Sequence, residues 1–347
     1  MKKILFLYTE LAEYVLASMQ ALQEHQVELH IVRWPVNSEA PFEFRKLDDV
    51  FIYDRSTFTD ESLTAFARDL RPDLILTSGW IDKGYLKVNT FWYQKCPTVL
   101  LLDNHYTGDI KQKIAALISP FWLKTKFSHA WVPGDPQFAF ARKLGFKKED
   151  IRTGFYCADT ELFTAFSDNH PERETSLPNR FIYIGRYIDF KGVEELWEAF
   201  TAFRKMHPEW ELICIGTGEL WERRTTNEGI KHLGFIQPAD LPEQLLKAGV
   251  FVLPSRKEPW GVVIHEMAAA GFPLICSNTI GAATRFLEEG KNGFSFKAHT
   301  PSSIQEAMEK MALLTDEERS NMGAHSKQLA KELTPDKWAT TLLSFLP

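Results

Sequence analysis

Short apolar runs alternate with amphipathic segments along almost the whole chain, and this alternation constrains the fold more than any other feature of the sequence. Runs such as 4–8 and 74–77 are almost entirely apolar, and the segments 11–25 and 60–70 between them have helical periodicity. A strand that is covered on both faces consists of a continuous apolar run, which is typical of parallel sheets. The alternation therefore predicts an α/β fold built on doubly wound parallel sheets.

The alternation occurs in two series, which indicate two domains. Besides the two runs above, the predicted strands are 27–32, 50–53, 98–102, 130–132, 181–184, 212–215, 232–235, 250–253, 273–276 and 293–296. Residues 165–179 separate the two series, and they are polar, contain two prolines and lack apolar periodicity. We expect two Rossmann-like domains that face each other across a cleft, at 1–165 and 180–330, with a linker at 166–179. Residues 331–347 are predicted to form a C-terminal helix that could pack back on the first domain.

Composition excludes several classes of protein. The 347 residues include 40 basic and 46 acidic side chains, a balance that argues against a surface built to bind nucleic acid. The four cysteines lie far apart without a C-x-x-C pair, so zinc sites and a disulfide framework are not expected. The N-terminal apolar run is too short for a secretory signal, and no stretch is long enough to span a membrane. We expect a cytoplasmic protein, or one on the cytosolic face of a membrane.

An anion-binding pattern follows the first strand of the second series. That strand ends at Gly185, Arg186 comes next, and Lys191 stands at the start of the following helical segment. A glycine turn, two cations and a helix N-terminus together suit a diphosphate. The alternative is that both cations are ordinary solvated charges.

Two carboxylates, Glu258 and Glu266, follow the strand at 250–253 with the spacing E-x7-E. Glu258 lies in a predicted loop, and Glu266 lies on a helix predicted from about Trp260. Carboxylates accept hydrogen bonds from sugar or ribose hydroxyls, and Gly261 would allow a ligand to approach the backbone closely. The lone G-x-G at 216–218 is interpreted as a loop after a strand. The sequence has no P-loop, no G-x-S-x-G and no H-E-x-x-H motif, which excludes P-loop NTPases, serine hydrolases and zinc proteases of those types.

Taken in order, four motifs resemble the retaining family-4 glycosyltransferases of the GT-B fold. These motifs are GRYIDFKG at 185–192, GTG at 216–218, LGF at 233–235 and PSRKEPWGVVIHE at 254–266. The resemblance implies that Arg186, Lys191, Glu258 and His105 are catalytic residues. It implies that Gly185, Gly216, Gly218, Phe235, Trp260, Gly261, Val262 and Glu266 bind the donor, a nucleotide diphosphate-sugar.

The implied roles differ between these residues. Arg186 and Lys191 would bind the donor diphosphate and stabilise the charge that develops on it as the glycosidic bond breaks. Glu258 would lie at the donor sugar, with backbone amides near Trp260–Val262 around it. Glu266 would bind the ribose hydroxyls, and the backbone near Phe235 would contact the base.

The first half of the chain matches the family less closely. His105 lies just past the predicted strand end at Leu102, where the family often has an active-site histidine, and Asp159 matches a family position before the linker with a structural or hinge role. The family usually has a Gly-Gly pair after the first strand, but this chain has no glycine there. We therefore expect that Thr9 or Glu10 contacts the acceptor instead.

These observations predict a retaining hexosyltransferase that moves a sugar from a nucleotide diphosphate-sugar to a hydroxyl acceptor. The acceptor would be a glycan or lipid-linked glycan, in the synthesis of an envelope or capsular polysaccharide or of a glycolipid. No cofactor or metal is expected, because no Asp-x-Asp loop occurs. The alternatives are another GT-B enzyme, such as a sugar-nucleotide epimerase or a phosphorylase, and a non-catalytic nucleotide-sugar sensor.

A basic and aromatic stretch at 110–127 bears on the acceptor. It combines four lysines with Phe121, Trp122 and Phe127, and such a stretch can lie among the headgroups of an anionic membrane. The alternative is a helix that faces the core and has a solvated lysine edge. Membrane contact would favour a lipid-linked acceptor.

Overall fold

The computed structural model describes residues 1–35 and 47–346, which form two compact units. Unit 1 comprises 1–35, 47–157 and 333–346, and unit 2 comprises 158–332. Each unit contains one parallel sheet with helices, so the chain has the α/β class and the Rossmann-like sheets that the sequence predicts.

In the described part of unit 1, seven strands form one sheet in the order β3-β2-β1-β4-β5-β6-β7. All of its strand pairs are parallel. The strands are β1 (Lys2–Tyr8), β2 (Val27–Arg33), β3 (Val50–Asp54), β4 (Leu74–Ser78), β5 (Thr98–Leu101), β6 (His129–Val132) and β7 (Ile151–Thr153). The chain runs outward from β1 to β3 and then returns to β4, so the winding direction reverses between β1 and β4.

The α-helices of unit 1 connect its strands, except for α13, which follows unit 2 in the sequence. They are α1 (Glu13–Gln20), α2 (Asp60–Leu70), α3 (Lys83–Trp92), α4 (Ile110–Trp122), α5 (Asp135–Lys143) and α13 (Pro335–Leu343). In α2, Thr59 caps the first turn, and Leu63, Ala67 and Leu70 recur at helical spacing on the buried face. Helix α13 lies near the end of the sequence, yet its Trp338 is buried in unit 1, where the indole N–H donates to the carbonyl of Phe155 at 2.7 Å.

Unit 2 has a six-stranded parallel sheet in the order β10-β9-β8-β11-β12-β13. Its strands are β8 (Arg180–Ile184), β9 (Glu211–Ile215), β10 (Ile230–His232), β11 (Val250–Leu253), β12 (Leu274–Ser277) and β13 (Gly293–Phe296). Its helices are α6 (Thr160–Asp168), α7 (Val193–Arg204), α8 (Leu241–Leu245), α9 (Val262–Ala269), α10 (Ala283–Phe286), α11 (Pro301–Ala312) and α12 (Asp316–Ala330). Here the winding direction reverses between β8 and β11.

The segment 166–179, which the sequence predicts as a linker, is a packed part of unit 2. It contains the end of α6 and a short 3-10 helix, Pro171–Glu174. Arg173 is buried there and donates to the carbonyls of Leu245 (3.2 Å) and Ala248 (2.8 Å), and burial lowers its pKa to about 10. The polarity of residues 166–179 suggested a loop, but the two backbone carbonyls make burial of the Arg173 guanidinium possible. The chain passes between the units at 157–158 and 332–333 instead.

Smaller differences concern the ends of elements. Strand β10 ends at His232, whereas the sequence predicts a strand over 232–235, and the short β7 was not predicted. The helix expected over 11–25 is α1 followed by a 3-10 turn, Gln23–His25. All four cysteines are free thiols. Among the described residues, no helix is both long enough and apolar enough to cross a bilayer.

Candidate functional site

The candidate donor site lies where the winding of the unit 2 sheet reverses. Strands β8 and β11 are neighbours in the sheet. The chain continues from β8 to β9 on one side of this pair and from β11 to β12 on the other side. In open parallel sheets, this arrangement leaves a crevice at the carboxyl ends of the two strands, where ligands bind. Gly185 follows β8, and Pro254 follows β11. Both motifs that the sequence singled out therefore begin at this crevice.

Glycines allow the loops after β8 and β9 to pack directly on each other. A Cβ atom on Gly216 (φ +133°) would lie 2.0 Å from the carbonyl oxygen of Gly185. A Cβ atom on Gly218 would lie 2.7 Å from the carbonyl oxygen of Tyr187. The N–H of Tyr187 donates to the carbonyl of Thr217 at 2.8 Å. The G-x-G at 216–218 therefore helps to fix the backbone conformation around Arg186.

Arg186 is held through its backbone as well. The buried hydroxyl of Tyr183 donates to the carbonyl of Arg186 at 2.8 Å, directly below Gly185. The Arg186 side chain is half-buried beside the crevice. This support positions a cation at the carboxyl end of β8.

A second pair of loops brings Lys191 to the segment after β11. Gly192 has φ +62°, and a Cβ atom there would lie 2.4 Å from the carbonyl oxygen of Pro254, so only glycine permits this approach. The N–H of Arg256 donates to the carbonyl of Phe190 at 2.8 Å, and its guanidinium pairs with Asp189 and, at 2.6 Å, with Glu195. The two loops are therefore joined by backbone and ionic contacts.

As a result, Lys191 and Glu258 form an ion pair in which both side chains are largely shielded from solvent. The hydroxyl of Ser255 donates to the same carboxylate oxygen of Glu258 at 3.1 Å. The structure thus brings two of the predicted catalytic residues into direct contact. An ammonium group held in this way is positioned to contact an anionic ligand while a carboxylate beside it accepts hydrogen bonds from hydroxyl groups.

Helix α9 begins beside this pair and carries the second glutamate. Gly261 precedes the helix with φ +90°, and a Cβ atom there would lie 3.0 Å from Cγ of Glu258. Trp260 is buried, so its indole is part of the core, while Val262 is the first helical residue. The predicted helix start at Trp260 is therefore two residues too early.

Glu266 has an unusual protonation equilibrium. Burial, with a smaller effect of the nearby Asp159 carboxylate, raises its pKa to about 7. Asp159 caps α6 by accepting a hydrogen bond from the N–H of Leu162 at 3.2 Å. Strongly perturbed carboxyl groups in clefts are candidates for functional residues, because burial without a compensating cation costs stability.

Phe235 lies three residues past the end of β10 and is partly exposed. Its neighbour Gly234 accepts a hydrogen bond from the N–H of Gly216 at 2.7 Å. The segment predicted to contact the base therefore sits against the loop after β9, in the same part of unit 2 as Arg186.

In unit 1, the residues predicted to contact the acceptor lie at the corresponding reversal point. Thr9 follows β1, and its hydroxyl shares a hydrogen bond with that of Ser78, the last residue of β4, at 2.8 Å. Glu10 is exposed. His105 is half-buried in the segment after β5, and its carbonyl accepts a hydrogen bond from the side chain of Gln112 at 2.8 Å.

The sequence analysis missed Asp103 and Tyr156 in unit 1. The hydroxyl of Tyr156 donates to Asp103 at 3.1 Å, and burial, together with the charge of Glu10, raises the pKa of Asp103. Burial also raises the pKa of the neighbouring Tyr8. Asp103 follows a predicted strand in the sequence, which is a usable signal, but the approach of Tyr156 from the segment after β7 depends on the tertiary fold.

The predicted site residues therefore form two groups, one in each unit. Unit 2 holds the loops after β8, β9 and β11 with Lys191 bound to Glu258, and unit 1 holds Thr9, Glu10 and His105. Within the described ranges, no cluster of three or more His, Cys, Asp or Glu side chains is arranged to hold a metal ion.

Two Rossmann-like sheets in successive units of one chain define the GT-B fold. Residues 167–329 match the family described as glycosyl transferases group 1. The resemblance found in the sequence and the predicted fold class are both confirmed.

Individual relatives match parts of the chain. The chain is 29% identical over 166 residues to spore coat protein SA of Bacillus subtilis, covering 43% of each protein. It is 24% identical over 250 residues to a phosphatidyl-myo-inositol mannosyltransferase of Propionibacterium freudenreichii, covering 66% of this chain and 62% of that protein. Each match spans less than two thirds of the relative's own length.

A solved structure shares the complete fold. Anabaena HepE, determined in complex with UDP and glucose, superposes with a TM-score of 0.74 at 16% identity and covers 100% of this chain and 99% of its own.

Proposed function

We propose that the protein is a retaining glycosyltransferase that moves a sugar from a nucleotide diphosphate-sugar to a hydroxyl acceptor. The observation that carries this proposal is the ion pair of Lys191 and Glu258, with Arg186 nearby along the chain, at the reversal point of the unit 2 sheet. HepE was determined in complex with UDP and glucose, and one relative is a mannosyltransferase, which supports a nucleoside diphosphate-hexose as donor.

On the donor side, the leaving nucleoside diphosphate gains negative charge as the glycosidic bond breaks. Arg186 and Lys191 meet this charge as fixed cations, so that no divalent metal is required. Lys191 is held by Glu258 before the donor arrives, and it then shares its hydrogen bonds with the phosphate while Glu258 accepts bonds from sugar hydroxyls. Glu266, in its ionised form, accepts hydrogen bonds from the ribose hydroxyls.

On the acceptor side, we assign hydrogen bonding of the reacting hydroxyl to the group formed by Thr9, Glu10, Asp103 and His105 in unit 1. The acceptor attacks on the face that the phosphate leaves, and the departing phosphate takes up its proton. We propose a glycan or a lipid-linked glycan as acceptor, in the synthesis of an envelope or capsular polysaccharide or a glycolipid. The phosphatidyl-myo-inositol mannosyltransferase supports the lipid-linked alternative.

Nucleotide binding tests the donor side directly. Thermal unfolding is measured with UDP, GDP and ADP, and a ligand at about 100 times its Kd should add about 2.7 kcal/mol to the free energy of unfolding. Transfer from the nucleotide sugar that binds should persist in excess EDTA. The proposal fails if none of the nucleotides stabilises the protein, and metal independence fails if EDTA abolishes transfer and manganese restores it.

A variant in unit 1 tests the acceptor side. Asp103→Asn keeps the shape of the side chain but removes its carboxylate chemistry, so we expect a higher KM for the acceptor with unchanged nucleotide affinity. Asp69→Asn, on α2 of the same unit, is the matched control. An acceptor KM equal to that of the wild type would remove Asp103 from the site.

A further inference from the structure

Helix α4 of unit 1 exposes a continuous apolar face. The exposed residues recur at intervals of three and four and therefore cover one stripe of about 100° on the helix. They are Ile110 (75% exposed), Ile114 (52%), Leu117 (75%), Ile118 (55%) and Phe121 (82%), with Trp122 (37%) at the edge of the stripe. Isolated apolar residues on a surface are common, but a continuous row of this size marks an interaction site.

The other side of α4 is fixed to the body of unit 1. Ser119 is buried and its hydroxyl donates to the carbonyl of Leu144 at 3.1 Å, and Ala115 packs against the core cluster that contains Leu123. A Cβ atom on Gly145 would lie 3.0 Å from Pro120, so the helix also packs closely on the turn after α5. The helix is thus held firmly and presents its apolar stripe outward as part of the folded unit.

Every charge within residues 110–127 is positive, and the nearest carboxylate along the chain is that of Asp109, which caps the first turn of the helix. Lys111 and Lys113 lie on opposite edges of the stripe at about 100° per residue. Lys124 lies in the 3-10 turn Leu123–Thr125 after the helix, and Lys126 follows that turn. Residues 110–127 contain no aspartate or glutamate, so their net charge is +4 within a chain whose net charge is −6. The ammonium group of Lys126 lies 4.8 Å from the ring centre of Trp122.

We propose that this stripe, Ile110 to Trp122 with its flanking lysines, docks the protein on the surface of an anionic lipid bilayer. Isoleucine, leucine and phenylalanine side chains would enter the boundary between headgroups and acyl chains, and the lysines would contact lipid phosphates. The apolar face complements the acyl chains, and the lysines beside it complement the anionic headgroups. The inference is independent of the transferase activity, because vesicle binding needs neither donor nor acceptor.

A second copy of the chain fits the stripe less well. A symmetric contact through α4 would place one set of lysines opposite another, with no carboxylate in residues 110–127 to neutralise them. Phosphate groups of anionic lipids supply the missing negative charge.

Flotation of the full chain with vesicles tests the proposal. We expect the protein to float with phosphatidylcholine vesicles that contain about a third phosphatidylglycerol, and to float much less with phosphatidylcholine alone. Leu117→Gln/Phe121→Gln should lower the partition coefficient at least about tenfold, because it removes two deeply inserted side chains. Lys111→Glu/Lys113→Glu should lower it by a similar factor and weaken its dependence on salt.

The matched control is Met206→Gln/Leu313→Gln, which removes two side chains exposed by 76% and 78% in unit 2 and should float like the wild type. Circular dichroism and nucleotide-dependent thermal shifts show that each variant is folded. The proposal is overturned if the wild type stays at the bottom of the gradient, or if the control loses binding as strongly as Leu117→Gln/Phe121→Gln. It is also overturned if α4 variants instead convert a dimer to a monomer in light scattering.

Discussion

At the residue scale, Arg186 and Lys191 carry the positive charge of the proposed donor site. Loss of one fixed donor to a developing oxyanion lowers turnover by about 10²–10³. We therefore expect Arg186→Ala and Lys191→Ala each to reduce kcat by this factor. The midpoint of thermal unfolding should change little in Arg186→Ala and fall in Lys191→Ala, because the shielded Glu258 carboxylate then loses its cation. Steady-state kinetics and calorimetry measure the two quantities.

The control for these variants is Lys257→Ala, which removes an exposed cation from the same loop as Glu258. It should keep nearly full activity if position, and not overall charge, determines catalysis. Equal losses in all three variants would show that only the general positive potential of the region matters.

Also at the residue scale, the raised pKa of Glu266 predicts a pH dependence of donor binding. Because its pKa is about 7, the carboxyl is mostly ionised at pH 8 and mostly protonated at pH 6. If the ionised form binds ribose, the Kd for the nucleotide should rise about tenfold from pH 8 to pH 6, and binding below pH 7 should release a proton. Titration calorimetry in buffers of different ionisation enthalpy measures both effects.

Glu266→Gln separates this effect from protonation of the nucleotide phosphate itself. The variant should bind more weakly at pH 8 and lose the part of the pH dependence that belongs to the carboxyl. Parallel pH profiles for the variant and the wild type would exclude Glu266 as the titrating group.

At the scale of elements, the packing of the loops after β8 and β9 depends on Gly216. An alanine there places its Cβ 2.0 Å from the Gly185 carbonyl oxygen and adopts an unfavourable φ. We expect Gly216→Ala to lower the free energy of unfolding by about 2–5 kcal/mol, and to weaken nucleotide binding because Arg186 moves with its loop. Denaturant unfolding and nucleotide titration test this.

Gly290 provides a control, because it also has a positive φ but has room for a Cβ atom. Its φ is +73° and a Cβ atom would have no neighbour within 4 Å. Gly290→Ala should therefore cost only about 1–2 kcal/mol and leave nucleotide affinity unchanged. If both variants behave alike, the close contact with Gly185 has no special role.

At the scale of the whole molecule, the last helix completes the core of the first unit. Trp338 on α13 is buried against Phe6 and Trp131, whose ring centres lie 6.5 Å and 5.0 Å from its own. We expect Trp338→Ala to lower the free energy of unfolding by about 3–5 kcal/mol, whereas the exposed Thr340→Ala on the same helix should change it by less than about 0.5 kcal/mol. Equal stability of the two variants would show that unit 1 does not depend on α13.

The sequence by itself determined the α/β class and the positions of most strands, because a strand buried on both faces must be a continuous apolar run. It also indicated Arg186, Lys191, Glu258 and Glu266, since each motif stands at the end of such a run. The ends of elements were less certain, as β10 and the start of α9 show, because local hydrophobicity does not mark where hydrogen bonding stops.

Only the tertiary structure decided which distant segments meet. The pairing of Lys191 with Glu258 requires Gly192 to pack on Pro254, and the contact of Tyr156 with Asp103 joins segments 53 residues apart. The polar segment around Arg173 is part of unit 2 because backbone carbonyls at the end of α8 and just after it accept hydrogen bonds from the guanidinium group. Contacts between remote segments are fixed by packing and by the pairing of buried polar groups, and periodicity along the chain carries no information about such partners.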